Sequence, residues 1–503
     1  MPLEKFYNFL WKYKRNEHKG YTDSILSPIA PEYTTGEVLL GAAYRKLILG
    51  EREAVINLEN INSLFSSSPT WDAILREPGG LTSPKLSRQD PLLRQLMPFV
   101  PEIARYACVL GRPRNRWDPG NLLLSTIGSG LGPEPVNSFI QKIRDALFVD
   151  ENDDILARYV EESLKQLNRE PSEGFPKIPD PKAPAWRRRR SSGYTPAECF
   201  TRDLGYTIKL KSRLTRRQWT VLVEAVLRIG LGTHALWLCR LNKEIWEMTL
   251  EATSNGTQLT EEVIESRGWN VHDGVDPLIE LGLDAIPLIK KGVREYVQAR
   301  MGLNIVLHAL ADADCEWQEG IGVPPQGSTQ DPVGAVANFL SHVAENSEII
   351  KRTLQEHLHD DCLKVIISKL ADSNLRILST KSGTSKNLFE FIRYSLGQLQ
   401  TLDDEMKLYD QSYILFKKTG ASNSPWLVKP APTALILMTH ACCQSLGAIP
   451  ASMDDFQSYL AKYGINAPTG ELQCGQTGRD LERLGLVVDS PDAGGGRLLV
   501  DPF

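Results

Sequence analysis

Three clusters in this 503-residue chain carry the side-chain types from which active sites are built. The segment "EHLHDDC" offers His357, His359, Asp360, Asp361 and Cys362, donors of the kind that hold zinc. On one helix, residues two apart point to different faces, so His357 and His359 do not converge on one ion, whereas His357 and Asp361 could pair. Ile350, Leu354 and Leu358 form the apolar stripe of the same segment, which makes the histidines a solvated flank. The segment "DADCEW" sets Asp312, Asp314 and Glu316 close together, carboxylates of the kind with which magnesium-dependent nucleases hold the ion that activates water. Such a site needs partners brought from elsewhere and no companion signature follows, so a short acidic loop is expected. His440 beside Cys442 and Cys443 has the types required for nucleophilic chemistry, but the three sit in an apolar helical run, which predicts core thiols.

Known motifs add no support for catalysis. "STIGSGLG", with Gly128, Gly130 and Gly132, lacks both the GxGxxG spacing and a Gly-Lys-Ser/Thr ending, and is expected to be an interhelical loop. The chain contains no Gly-x-Ser-x-Gly elbow, no HExxH and no Cys-x-x-Cys pair. Its eight cysteines are scattered, which predicts reduced, mostly buried thiols. No catalytic residue, metal or cofactor is expected.

Binding chemistry is better represented. "PAWRRRRSSG", residues 184–193, places Arg187, Arg188, Arg189 and Arg190 in a row after Trp186. From Lys182 to Arg217 there are eleven basic residues against two acids, a net of +9 in a chain of net charge −5, so the remainder carries −14. Each Lys or Arg that neutralises a phosphate releases condensed counterion, so this asymmetry points to nucleic acid, DNA before RNA, held by its backbone. The candidate contacts are Arg187, Arg188, Arg189, Arg190, Lys209, Lys211, Arg213, Arg216 and Arg217, with Trp186 and Tyr194 able to stack on unpaired bases. A solvated tether is the competing reading.

The elements that would position these residues are mostly helical, and the length predicts several domains. An N-terminal helical domain spans 1–168, with "TTGEVLLGAAYRKLILG", "PLLRQLMPFVPEIARYACVLG" and "PVNSFIQKIRDALFVDENDDILARYVEESLKQL" all at helical spacing. A linker rich in proline and arginine follows over 169–196, its prolines opposing a regular helix. A central helical domain spans 197–428; in it "SRLTRRQWTVLVEAVLRIGLGTHALWLCRLNKEIWEM" reads as two helices or a broken one, with Trp219, Trp237 and Trp246 in the core. "STKSGTSK", residues 379–386, is expected to be a flexible loop. The N-terminus shows no apolar segment followed by a cleavage site, and no later stretch approaches the ~18 apolar residues of a membrane span, so a cytoplasmic chain with no membrane partner is expected.

Residues 429–503 change character. Helices over "PAPTALILMTHACCQSLGA", "ASMDDFQSYLAKYGI" and "TGELQCGQTGRDLERLGLVV" precede two short strands around a Pro-Asp-Ala-Gly-Gly-Gly turn. Through "RDLERLGLVV", the glycine turn and "RLLV", this segment resembles a winged helix-turn-helix domain. The expected core is Leu435, Leu437, Phe456, Leu460, Leu481, Leu484, Leu486 and Val488. From Pro430 to Phe503 there are four basic residues against eight acids, a net of −4, which opposes phosphate and favours a protein partner. Were this segment to touch DNA, the resemblance implies contacts from Gln473, Gln476, Thr477, Arg479, Arg483 and Arg497.

Mainly helical segments ending in a small winged α+β domain are similar in style to accessory proteins of bacterial genome-defence or DNA-processing systems. The expected function is a non-enzymatic adaptor in a nucleic-acid-handling complex, with the basic segment on phosphate and the winged segment on a protein. A metal-dependent nuclease or phosphohydrolase and a winged-helix transcription regulator stay open as alternatives.

Overall fold

One helix of 40 residues organises the chain. The computed structural model describes residues 3–4, 7–8, 39–49, 82–83, 95–96, 100–102, 119–131, 133–167, 195–269, 277–315, 332–358, 368, 383–397, 412–417, 424–489 and 496–503, and these are mainly helical. In chain order the helices are α1 (Leu39–Tyr44, continued by a π turn over Arg45–Leu49), α2 (Pro119–Leu131), α3 (Pro133–Leu147), α4 (Ile155–Leu167), α5 (Pro196–Lys209) and α6 (Arg216–Asn255). There follow α7 (Glu261–Ile264), α8 (Ile286–Asp312), α9 (Pro332–Glu345), α10 (Ser347–Leu358), α11 (Gly383–Leu396), α12 (Pro432–Ser445), α13 (Met453–Ala461), α14 (Thr469–Gln473) and α15 (Gln476–Arg483). The strands are β1 (Thr82–Ser83), β2 (Gln95–Leu96), β3 (Ile279–Glu280), β4 (Leu415–Lys417), β5 (Trp426–Val428), β6 (Ala451–Ser452), β7 (Ile465–Asn466), β8 (Val487–Asp489) and β9 (Arg497–Leu499).

Helix α6 is unbroken, about 60 Å long at 1.5 Å per residue, where the sequence reads as two helices or a broken one. Its glycines serve packing: a Cβ at Gly230 would strike the ring of Phe200 on α5, and one at Gly232 would strike Leu396 on α11. Bare backbone at those two points lets the flanking helices close in, which offsets the ~1 kcal/mol a helical glycine costs. A capping box of Thr215 and Gln218 starts the helix, and Gly256 ends it in the left-handed conformation at φ 64°. Helices α1, α2, α5, α8, α9, α10, α11 and α12 pack around it. Trp219, Trp237 and Trp246 are buried as expected, the first donating its indole N–H to the Thr207 carbonyl at 2.9 Å.

The expectation of no membrane-length apolar stretch does not hold for α6, which contains an 18-residue window of mean hydropathy 1.4. Of that window 94% is buried against the rest of the protein, so its apolar residues are core. The helix also carries buried ions that close the ends of its neighbours. Glu224 accepts the backbone N–H groups of Leu39 and Leu40, at 3.1 and 2.7 Å, at the start of α1. Arg228 pairs with Glu224 at 2.7 Å and donates to the carbonyls of Tyr394, Ser395 and Gly397 at the end of α11. Each ion meets helix-end groups that lack intrahelical partners. Burial raises the Glu224 carboxyl above its ordinary range, against the pull of Arg228 and the two amides.

Other local expectations are corrected. "STIGSGL" is the body of α2, with a Cβ at Gly130 meeting the Ala197 carbonyl and Thr201 of α5, so Gly130 serves close helix packing; Gly132 lies outside the described residues. Gly383 to Lys386 form the first turn of α11, where a loop is expected. Gln95 and Leu96 pair antiparallel with Thr82 and Ser83, where a helix is expected. Pro196 is the first residue of α5, capped by Thr195 and Glu198, so the proline run ends by opening a helix.

The segment from α12 onward runs helix, strand, helix, strand, helix, helix, strand, strand. Its expected third helix is two, α14 and α15, separated at Cys474 and Gly475. Its sheet has three strands where the sequence predicts a hairpin, in the antiparallel order β6-β9-β8. Leu435, Leu437, Phe456, Leu460, Leu481 and Leu486 are buried and Leu484 half-buried, but Val488 is 47% exposed and leaves the expected core. Contacts cross residue 429: β7 pairs in parallel with β3, and the hydroxyls of Tyr459 and Tyr463 both donate to the buried Asp203 carboxylate of α5 at 2.7 Å.

Candidate nucleic-acid interface

The expected basic interface divides on inspection. Arg187, Arg188, Arg189 and Arg190, with Trp186 and Tyr194, lie outside the described residues. Beyond them the chain runs through α5 and a 3₁₀ turn over Leu210–Arg213 into α6, which spreads the remaining candidates around one corner. Lys209 is exposed, its ammonium 5.6 Å from the Tyr206 ring, and Arg213 and Arg217 are exposed beside it. Lys211 is largely spent: its ammonium donates to the Phe148 carbonyl at 2.9 Å and pairs with Asp150 at 2.6 Å and Asp153 at 3.3 Å.

Arg216 is withdrawn from the phosphate-contact set. It is 1% exposed, and its guanidinium points inward at the end of α3. It donates to the carbonyls of Leu147, of Phe148 at 2.9 Å and of Ala146 at 3.4 Å, and to the Tyr44 hydroxyl at 3.1 Å. Asp153 lies 3.4 Å away and the Trp219 ring stacks beneath. The planar five-donor fork suits a cluster of helix-end carbonyls, and sequence alone does not distinguish it from its exposed neighbour Arg217.

On the C-terminal unit, the helix expected to meet base edges presents little free positive charge. Arg483 is exposed and lies 3.5 Å from Asp480. Arg497 of β9 is paired with Glu482 of α15 and, at 3.5 Å, with Asp489 of β8, and donates to the Gln473 carbonyl at 2.8 Å. Arg479 is exposed and bonds the Cys474 carbonyl and the Gln476 side chain at 3.3 and 3.5 Å. Gln476 in turn donates to Asp480 at 3.0 Å. Thr477 is buried, its amide and hydroxyl both donating to Glu471 at 2.9 Å, so it is removed from the contact set, while Gln473 is exposed.

The sequence reading missed an outward-facing apolar row on the same sheet. Register sets Ser452, Leu498 and Val488 side by side, opposite in facing to the row of buried Ala451, buried Leu499 and half-buried Val487. The alternation in "LVVD" and "RLLV" is the signal that could have found it, once three strands rather than two were counted.

The catalytic candidates do not assemble. His357 is exposed on α10 beside the buried stripe of Ile350, Leu354 and Leu358, as expected; His359 to Cys362 lie outside the described residues. Asp312 is the last residue of α8, not a loop residue, and accepts the Leu3 backbone N–H at 2.7 Å. Asp314 sits in the left-handed region at φ 53°, and Glu316 lies outside the described residues. Among the described residues no group of three or more His, Cys, Asp or Glu gathers as metal ligands do. His440 bonds Asp501 at 2.7 Å and meets the Phe503 ring edge-on, while burial pushes the Cys442 thiol up to about 12 and raises Cys443 too. A thiol raised in this way stays protonated at neutral pH and is a poor nucleophile. Comparison of the chain with protein-family models, with curated proteins and with solved structures finds no match.

Proposed function

We propose that the chain is a non-enzymatic adaptor of a nucleic-acid-handling assembly, in which the C-terminal unit is a winged helix that docks a protein rather than DNA. The three-stranded sheet of β6, β8 and β9 on α12 to α15, with the first of these strands paired to the last, supports reading α12 to β9 as that scaffold; β7, between α13 and α14, pairs outside the unit with β3. One observation carries the protein-docking half. The basic side chains of the expected reading helix and wing are held by the unit's own groups: Arg483 by Asp480, Arg497 by Glu482 and Asp489, and Arg479 by Cys474 and Gln476. A duplex carries one charge per ~1.7 Å of axis, so contact with it would require breaking these pairs and bringing the flanking carboxylates against phosphate. The exposed Val488 beside the half-buried Leu498 offers apolar area on the opposite face of the sheet from Arg497, the feature that distinguishes the centre of a protein interface. Phosphate contact then falls to the arginine run and to Lys209, Arg213 and Arg217.

The test is recovery of the full chain from its source cells, with and without nuclease treatment, beside the variant Val488→Glu/Leu498→Glu. A partner retained through nuclease treatment and lost from the variant supports the proposal. A partner released by nuclease from the unaltered chain, or retained by the variant, contradicts it.

A further inference from the structure

We infer that a second, folded phosphate-binding face lies on the first turns of α8, the outer side of α11 and strand β4; the inference rests on the nucleic-acid reading above. Lys290 of α8 and Arg393 of α11 approach one ring, Phe389, at 5.7 and 5.2 Å from its centroid. Arg393 also stacks on Tyr394 at 4.5 Å and on Trp426 of β5 at 5.6 Å, and its buried Nε has no hydrogen-bond acceptor among the described residues. Register places Lys417 of β4 directly opposite Trp426, so both side chains leave the ladder on one face. Arg294 stands one turn beyond Lys290 on the same side of α8 and is exposed.

The charge balance of this face opposes that of the whole chain. Lys290, Lys291, Arg294, Lys386, Arg393 and Lys417 stand against Asp284, Glu295 and Glu390, six positive charges to three negative, where the chain as a whole is −5. The three acids are already engaged, Glu295 by Lys291 at 3.9 Å, Glu390 by Lys386 at 3.7 Å, and Asp284 by the backbone N–H groups of Ile286 and Trp426, both at 3.1 Å. Lys290, Arg294, Arg393 and Lys417 meet no carboxylate partner among the described residues. Stacking on rings holds Arg393 in place without neutralising it.

Duplex backbone fits this face better than unpaired bases do. Phe389 and Trp426 are each 7% exposed and roofed by cations, which leaves no ring face for a base. Cations fixed along three elements suit a charged backbone and carry no sequence information. An anionic membrane is the competing surface, because Leu283 and Leu288 are exposed at one end. Those two leucines occupy the margin, whereas the four unpaired cations run away from it across both helices and the strand.

The experiment titrates the full chain with a short labelled duplex across a salt series. The triple variant Lys290→Glu/Arg294→Glu/Lys417→Glu is expected to bind at least about tenfold more weakly at ~0.1 M salt and to flatten log K against log salt by up to about 2.7, at ~0.9 per lost phosphate contact. Its charge-keeping counterpart, Lys290→Arg/Arg294→Lys/Lys417→Arg, is expected to bind as the unaltered chain does. Arg158→Glu/Arg352→Glu, on α4 and α10, is expected to change nothing. The substituted side chains lie at the surface, so the melting curve is expected to hold; should the triple variant unfold, Lys290→Glu and Lys417→Glu singly are each expected to weaken binding about twofold or more. Full affinity and slope in the triple variant, with both lost from Arg187 to Arg190 all changed to Ala, would overturn this inference alone. Absence of duplex binding by the unaltered chain would overturn it together with the nucleic-acid reading. Loss of binding to phosphatidylserine vesicles by a triple variant that still holds the duplex would assign the face to a membrane instead.

Discussion

Helix α6 and the C-terminal unit treat the same residue types in opposite ways. On α6, Arg216, Glu224 and Arg228 are buried and spent on backbone groups at the ends of α3, α1 and α11, far away in sequence. On the C-terminal unit, Arg483 and Arg497 stay at or near the surface and are matched by carboxylates close by. In the first region the charge builds the fold; in the second it dresses a surface and is cancelled there. A count of basic residues along the chain therefore overstates what either region can offer to phosphate. The +9 segment loses Arg216 and most of Lys211 to structure in this way.

The sharpest way to break the comparison is to remove a buried ion where the two regions meet. Asp203 is 1% exposed, accepts from both Tyr459 and Tyr463, and pairs with Arg202 at 2.9 Å. Asp203→Ala strands two hydroxyls and a cation, and is expected to cost about 3–5 kcal/mol in chemical denaturation. A cost below about 1 kcal/mol would mean that the C-terminal unit is only loosely seated on α5.

His234 of α6 is the interior charge that the fold refuses. Among the described residues both ring nitrogens lack hydrogen-bond partners, the ring stacks on Trp237, and burial lowers its pKa to about 3 from an ordinary 6.5. The unfolded chain therefore binds the proton first, so the contribution is intact above about pH 6.5 and is lost as pH falls from there toward 3. By pH ~4 the loss is expected to reach about 3 kcal/mol. His234→Leu is expected to remove that part of the acid sensitivity, read as the difference between two stability-versus-pH curves; parallel curves would contradict the assignment.

Smaller effects sharpen the same contrast. Gly302 of α8 faces Trp246 with no room for a Cβ, so Gly302→Ala is expected to cost about 1–3 kcal/mol from overpacking. At the surface, Arg483→Ala removes one solvent-screened pair and is expected to change stability by less than about 1 kcal/mol. Thermal melts of the two variants check both, and a reversed order would contradict the division between interior and surface.

Much of the fold is legible in the sequence because helical periodicity is local. The apolar stripe over Ile350, Leu354 and Leu358, and the helix α12 that opens at Pro432, survive intact. What is not legible is decided at long range. The unbroken course of α6 through Gly230 and Gly232 makes sense only once Phe200 and Leu396 are seen filling the notches they leave. Strands β3 and β7 are two residues each and pair across a long stretch of chain, so neither has a periodicity of its own. Arg216 and Arg217 are neighbours of one type, and only the arrival of the α3 carbonyls makes the first internal. The basic face on α8, α11 and β4 is likewise assembled from lysines and arginines that never form a run.

The central claim is that the C-terminal unit is not the DNA-holding surface, and duplex titration of the full chain carrying Arg479→Glu/Arg483→Glu tests it most directly. Both side chains are exposed on or beside the expected reading helix, so the change reverses its charge without touching the core. Affinity and salt slope equal to those of the unaltered chain are the predicted result. A loss of about tenfold or more, with the slope reduced by up to about 1.8, two contacts at ~0.9 each, would place DNA on this helix and contradict the account.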